Sequence, residues 1–320
     1  MSGITPSGSL TLGNHLGALR RFVADQDGAR GCFFVADLHA LTTDHDPERL
    51  RSLTLETATL FFAAGLDPAS AKVFLQSHVR AHVDLAYLLE STAYVGELSR
   101  MIQFKEKGGR PRTRASLFTY PCLMAADILL YDTDVVPVGG DQDQHVELCR
   151  DLAVRFNRRY GQTFVVPELE KAAIAARVAD LADPGVKMSK SAPSAAAGVI
   201  RMLDTADVIA RKINRAVTDS DAEVRYDPEH KPGVSNLVDI VACIRADDPH
   251  VVAAGFSSYG DLKRSCVEHV VSVLEPIQRR YGELARDPEH VRDLLDKGAE
   301  RAKATAEPVL ARAREAVGLR

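Results

Sequence analysis

Gly31-Cys32-Phe33-Phe34-Val35-Ala36, closed by Asp37, is the stretch that decides the fold class. An apolar, aromatic-rich run this short cannot make a useful helix, and it reads as a strand buried on both faces. Downstream, Pro47–Ala64 carries apolar residues at helical spacing and stops before Gly65, a fitting residue for the left-handed end of a helix. Lys72–Leu75 (KVFL) reads as a second strand, Leu85–Glu97 as a helix, Asp134–Gly139 (DVVPVG) as a third strand, and Asp141–Phe156 as a helix capped by Asp141. Strands alternating with helices imply an α/β unit, a Rossmann-like doubly wound parallel sheet covered on both faces. Ligands of such sheets collect at the carboxyl ends of the strands, here Asp37, Gln76 and Gly139-Gly140-Asp141-Gln142. From about Ala195 strand patterns cease. Helical ones follow at Thr205–Arg215, Ser235–Arg245, Asp261–Tyr281 and a long charged run, Pro288–Val317. The Ala-rich stretches Ala172–Val178 and Ser194–Ala197 read as a loop plus a short helix. The expected division is an α/β domain over 1–194, an all-helical domain over 195–286, and a C-terminal helix over 287–320 packing back toward the first.

The chain has 320 residues, enough for two domains, and its net charge of −4 excludes a global basic field for nucleic acid. Any RNA contact must come from local patches such as Arg20-Arg21, Arg110–Arg114 (RPRTR) or Arg155 with Arg158-Arg159, each more commonly a solvated face. Five scattered cysteines (Cys32, Cys122, Cys149, Cys243, Cys266) show no C-x-x-C spacing, so neither a zinc site nor a redox pair is expected, and reduced thiols are. With no leader-like segment and no apolar run of about eighteen residues, the expected location is the cytoplasm, away from membranes.

Three features carry chemistry. Gly3–Ala18 reads GITPSGSLTLGNHLGA. Its glycines admit a ligand close to the backbone, and a helix starting near Asn14 offers N–H groups to phosphate; the plainer reading is a loop glycine-rich for packing. Lys187–Ser191 reads KMSKS, two lysines and two hydroxyls able to converge on a triphosphate, on a loop made mobile by Asp183-Pro184-Gly185. Asp127 sits within AADILL, where a carboxylate is costly without a partner. That partner is either structural, a cap or a nearby arginine, or a ligand donor.

PSGSLTLGN resembles the phosphate-binding signature of class I aminoacyl-tRNA synthetases in its tryptophanyl form, and KMSKS matches the second signature of that class. MIQFKEK (Met101–Lys107), VGGDQ (Val138–Gln142), RDLAVRFNRRYG (Arg150–Gly161), KINRAVTDS (Lys212–Ser220) and KPGVSNL (Lys231–Leu237) extend the resemblance to bacterial-type tryptophanyl-tRNA synthetases over nearly the whole chain. The resemblance implies catalytic roles for Thr11, Asn14, Lys107, Lys187 and Lys190. Thr11 and Asn14 would bond the ATP phosphates, Lys107 would reach ATP, and Lys187 and Lys190 would hold the leaving pyrophosphate. The rest of the implied ATP site is Thr5, Pro6, Ser7, Gly13, Gly139, Gly140, Asp141, Val178, Met188, Ser189 and Ser191. His15, one residue late, is not counted. Asp127 is implied as acceptor for the indole N–H; phenylalanine and tyrosine lack that N–H, which discriminates without an editing domain. Met124, Val136 and Val138 would line the indole slot, Tyr120 and Gln142 would hold the α-amino group, and His39 would stand at the pocket's edge as a binding residue. ATP with Mg2+, L-tryptophan, tRNA(Trp), a homodimer and anticodon recognition by the helical domain complete the implication. No metal site made by protein ligands is expected.

Five departures from the family pattern stand out: little strand before Ser2-Gly3-Ile4, which would weaken a wall of the amino-acid pocket; Thr5 for the usual Gln; Gly140 for Glu; Ala192 after KMSKS for Asp; and Ala175–Asp180 (AARVAD) for a usual GARIMS. They point to a divergent or second copy, less sensitive to tryptophan-mimicking inhibitors. The rival readings are a tyrosyl-tRNA synthetase, disfavoured by Asp127 after Met-Ala-Ala and by GGDQ; another nucleotidyltransferase, disfavoured by KMSKS and the helical half; and a non-charging paralogue that binds tryptophan as a regulator, disfavoured by the intact lysines.

Overall fold

The computed structural model describes residues 1–26, 31–109, 111–138, 143–171, 178–193 and 195–319. β1 (Ser2–Ile4) leads into the glycine-rich turn. Thr11 then caps a helix that begins as α1 (Leu12–Asn14), widens to a π turn over His15–Leu19 and resumes as α2 (Arg20–Ala24). β2 (Cys32–Val35) is buried at every position, as its composition predicts. One turn of helix, α3 (Asp37–Ala40), carries the chain to α4 (Pro47–Ala63). Asp46 caps α4 by accepting from the Arg49 N–H at 2.7 Å, and Gly65 ends it with φ +113°. β3 (Lys72–Leu75) follows. The three strands are parallel in the order β1-β2-β3, with Ser2 opposite Phe33 and Cys32 opposite Lys72.

The helix expected over Leu85–Glu97 is two, α5 (Ala81–Glu90) and α6 (Val95–Leu98). They part where the hydroxyls of Ser91 and Thr92 turn back onto the carbonyls of Tyr87 and Leu88 and compete with the backbone ladder. α7 (Ile102–Lys107) and α8 (Ala115–Leu129) come next, the latter with Pro121 inside it. β4 (Val135–Val138) falls within the expected third strand. α9 (Asp143–Tyr160) continues past Phe156; its expected cap, Asp141, lies outside the described residues. β5 (Glu168–Lys171) pairs parallel with β4, Val135 opposite Glu168. The expected continuous sheet is thus described as three strands and two.

Beyond residue 195 the described chain has no named strand. It forms α10 (Ala206–Asn214), α11 (Pro232–Arg245), α12 (Pro249–Ala254), α13 (Tyr259–Leu284) and α14 (Pro288–Ala316). Thr205, Asp248, Ser258 and Asp287 cap α10, α12, α13 and α14. α11 begins before Ser235 because Pro232 is preset for a first helical turn. Residues 195–197 are turns rather than the expected short helix, and 172–177 lie outside the described residues.

The period of two along β2 puts Phe33 in one core and Phe34 in another. The first core stacks Phe22 on Phe33 at 5.0 Å and sets Phe61 edge-on to Phe22, then runs without interruption into Ile209, Ile213, Leu237, Val270 and Leu274. The second joins Phe34 and Phe74 to Leu85, Ala125, Ala126 and Phe156, and is closed by Ala299, Ala302 and Ala306 of α14. Lys72 donates its backbone N–H to Gly31, so the backbone groups of the next residue, Val73, face the sheet's outer edge. α14 lies along that edge: a Cβ on Gly298 would stand 1.9 Å from the Val73 carbonyl oxygen.

Candidate active site

The carboxyl ends of β1, β2 and β3 open toward two clusters, one around Thr11, Asn14 and the KMSKS segment and one around Asp127. In the first, Thr11 and Asn14 are joined to each other. The Thr11 N–H and hydroxyl both donate to Asn14 Oδ1, at 3.0 and 3.1 Å, and the Asn14 N–H returns to Thr11 Oγ1. The helix therefore starts at Leu12, earlier than expected, because this reciprocal cap fixes its first turn. Asn14 Nδ2 keeps its donors unengaged among the described residues. A Cβ on Gly13 would lie 3.5 Å from Val178 Cβ and 3.9 Å from Met188 Cβ, so three residues of the expected ATP site converge. His15 is buried; desolvation, and then Arg20, push its pKa down to about 4, which leaves it neutral at pH 7 and unsuited to acid catalysis.

The KMSKS segment, expected on a mobile loop, is docked. A small hairpin holds its start: Met188 N–H donates to Val178 at 3.0 Å, Asp180 N–H to Val186 at 2.8 Å. Its end is held by Arg201, which donates to the carbonyls of Ala192 and Pro193. Between them Lys190 donates its ammonium to the Thr5 carbonyl at 2.6 Å, and the Lys190 carbonyl packs where a Gly8 Cβ would be, 2.0 Å away. Burial, and then neighbouring Lys187, push the Lys190 pKa down to about 8. Asn236 of α11 clamps the hairpin from behind, accepting from Ala179 N–H at 2.8 Å and donating to its carbonyl at 3.1 Å.

Asp127 lies on α8, buried, and among the described residues it has neither a cap nor an arginine as partner. Gln76 Nε2, just past β3, donates to its Oδ1 at 2.7 Å; His82 Nδ1, from α5, is 2.6 Å from the same oxygen; His39 Nε2, from α3, is 2.8 Å from Oδ2. Burial alone would raise this carboxyl, but the bonds from His39 and His82 outweigh it and hold the pKa below the usual carboxylate range. His82 and its neighbour Tyr131, whose hydroxyl is 2.9 Å from Nε2, were not singled out from sequence, because a lone histidine on a helix's buried face signals nothing by spacing. Met124 and Val136 pack into the core beneath. Tyr120 stands edge-on to His39, 6.2 Å between ring centres; its hydroxyl bonds His145 Nε2, and burial pushes its pKa up to about 12. Gly139, Gly140, Asp141 and Gln142 lie outside the described residues, as do the side chains of Lys107, at the end of α7, and Val138. Among the described residues no cluster of three potential ligands could hold a metal.

The family of class I tRNA synthetases for tryptophan and tyrosine (W and Y) matches residues 1–275. The chain belongs to that family. The synthetase is 52% identical to tryptophan--tRNA ligase 1 of Streptomyces coelicolor, over 99% of this chain and 96% of the relative. It superposes on tryptophanyl-tRNA synthetase of Mycoplasma pneumoniae with a TM-score of 0.91 at 37% identity, covering 100% and 97% of the two chains. The Campylobacter jejuni enzyme, solved with ADP and tryptophan, gives 0.83 at 33%, covering 99% of both. Two of the synthetase's departures are visible in the fold. Thr5 supplies the carbonyl that holds Lys190, a bond any residue could make, and Ala192, partly buried, packs against the first core.

Proposed function

We propose that the protein activates L-tryptophan with ATP, giving tryptophanyl-adenylate and pyrophosphate, and transfers the tryptophan to its tRNA. The observation that carries this reading is the acceptor inventory of Asp127. A carboxylate offers about four lone-pair sites. Oδ1 receives Gln76 and His82, Oδ2 receives His39, and one site on Oδ2 is open among the described residues. An indole N–H fills it. A phenyl or phenol ring leaves it bare in a buried site, a strong basis for rejection.

At the other cluster the tryptophan carboxylate attacks the α-phosphorus and pyrophosphate leaves, so the chain's task is to place donors where charge develops. Asn14 Nδ2, the hydroxyls of Ser189 and Ser191, and Lys187 with Lys190 are the donors we assign to the phosphates; Lys107 we assign to ATP. Lys190 moves from the Thr5 carbonyl to the phosphates. That interaction forms only as the reaction proceeds, so it raises rate rather than mere affinity. Gly13, Val178 and Met188 form the adenine seat, with Pro6 and Ser7 beside it and Gly139–Asp141 toward the ribose. Tyr120 and Gln142 are assigned to the α-amino group. Mg2+ is assigned to the ATP phosphates, as is usual where the cation enters with a nucleotide.

We assign anticodon contact to residues 195–286 and read 287–320 as a helix returning to the catalytic part over 1–194. A homodimer is supported by the exposed apolar side chains Val83 and Tyr87 on one face of α5, with Tyr94 and Val95 after it. The cytoplasm is the proposed location; among the described residues no helix is long and apolar enough to cross a membrane. The deciding test is tryptophan-dependent pyrophosphate exchange, run beside tyrosine, then charging of tRNA(Trp). Exchange with tyrosine instead would overturn the substrate; exchange without charging would overturn the transfer step.

A further inference from the structure

His82 is fully buried, walled by the rings of Phe34, Phe74 and Tyr131 at 5.9, 6.0 and 5.6 Å. It cannot pivot, and its two nitrogens meet different partners. Asp127 can only accept, so Nδ1 carries the proton toward Oδ1 at 2.6 Å. On the far side Nε2 faces the Tyr131 hydroxyl at 2.9 Å. Burial holds the Tyr131 phenol well above its usual range, so that hydroxyl keeps its proton and donates to Nε2. The chain of donors is thus directional: Tyr131 O–H to His82 Nε2, then His82 Nδ1–H to Asp127 Oδ1. Gln76 is oriented by the same logic, since its amide must turn nitrogen to the carboxylate. Its Oε1 is left buried and without a partner among the described residues. Among the described residues the cluster thus leaves two acceptor positions unfilled, Gln76 Oε1 and one site on Asp127 Oδ2, and an incoming N–H would fill the second.

The torsion that turns a carboxylate about its own axis is broad, so nothing in α8 alone fixes where the open lone pair of Asp127 points. Two donors on Oδ1, with His39 on Oδ2, do fix it. We propose that His82, locked by Tyr131, is a positioning residue that turns the open lone pair of Asp127 toward the indole nitrogen and thereby sets the enzyme's preference for a ligand carrying N–H. This rests on the reading of Asp127 as the indole acceptor.

The probe is β-(3-benzothienyl)alanine, in which sulfur replaces the indole N–H at nearly the same shape. In pyrophosphate exchange the wild-type protein is expected to favour tryptophan over the analogue in kcat/KM by about 10- to 100-fold, the range of a hydrogen bond to a charged group. In His82→Leu the ratio falls at least about threefold below that of the wild type, because one of the three donors that aim the carboxylate is lost while Gln76 and His39 remain. His82→Asn, which keeps a donor near the Nδ1 position, gives a ratio nearer wild type. Tyr131→Phe keeps the ring and removes only the hydroxyl, giving an intermediate ratio. The KM for ATP stays near wild type throughout, which a general loss of structure would not allow. A wild type that does not discriminate overturns the Asp127 reading and the proposal with it. A wild type that discriminates, with the same ratio in a folded His82→Leu, overturns the proposal alone. Should His82→Leu fail to fold, an unchanged ratio in Tyr131→Phe overturns it equally.

Discussion

Lys190 is the residue whose state, on the proposed mechanism, most directly sets the chemistry. Its ammonium, with a pKa pushed down to about 8 by burial and Lys187, is charged below that pH and loses its proton as pH rises through it. In tryptophan-dependent exchange, kcat/KM for ATP should therefore fall as pH rises through about 8, since that ratio reports the free enzyme. Lys187→Met removes a like charge and should move the inflection upward; a profile flat across this range would refute the assignment. Gly8→Ala places a Cβ 2.0 Å from the Lys190 carbonyl, where backbone must shift. The loop should then dock poorly and exchange slow by about 10- to 100-fold while tryptophan binding holds. Thr5→Gln tests the expectation of a divergent copy less sensitive to tryptophan mimics: inhibitor constants equal to wild type would remove that idea. The lysines and glycines stand out in sequence as candidates for phosphate chemistry. Their pairing does not, because Thr5 and Lys190 are 185 residues apart and no local spacing encodes the contact. Asp127 was legible as a carboxylate in need of partners. Which partners was not, because they come from α3, the end of β3 and α5 together.

Among the elements, the strands were the most readable: Lys72–Leu75 needs no correction, since a short β-branched and aromatic run has few alternatives. Helix ends were less so. Ser91 and Thr92 break a stretch whose apolar spacing continues, and α8 holds a proline that reads as a stop yet sits inside a packed helix. β5 (ELEK) hides its strand character behind charges. At this scale Asn236 is the sharpest test, because its side chain bonds α11 to the hairpin of the KMSKS segment at both backbone groups of Ala179. Asn236→Ala leaves those two groups buried without it, costing about 1–3 kcal/mol, and should raise the KM for ATP more than that for tryptophan. Thermal unfolding together with exchange kinetics would check both halves; an unchanged ATP KM would show that the clamp serves stability only.

For the molecule as a whole, the disappearance of strands leads to an expected two-part division, but nothing in the sequence shows that one apolar core runs from β2 into α10, α11 and α13. A shared core predicts a single cooperative transition, and calorimetry resolving two separate transitions would contradict it. The exposed face of α5 bears on assembly. Tyr87→Asp should yield monomers by light scattering if two copies meet there. Finally, α14 lies on the outer edge of β3, where Val73 turns its backbone groups outward and Gly298 lets the helix approach. Arg301 ties the two by donating to the Ala71 carbonyl, 230 residues away in sequence. An uncovered strand edge invites pairing with other chains. At about 5–20 residues per second that edge stays bare for roughly 10–50 s on the ribosome before α14 arrives. Nascent chains, rather than the finished enzyme, are therefore the species most exposed to aggregation, and a premature stop before α14 yields a product destined for chaperones and proteases.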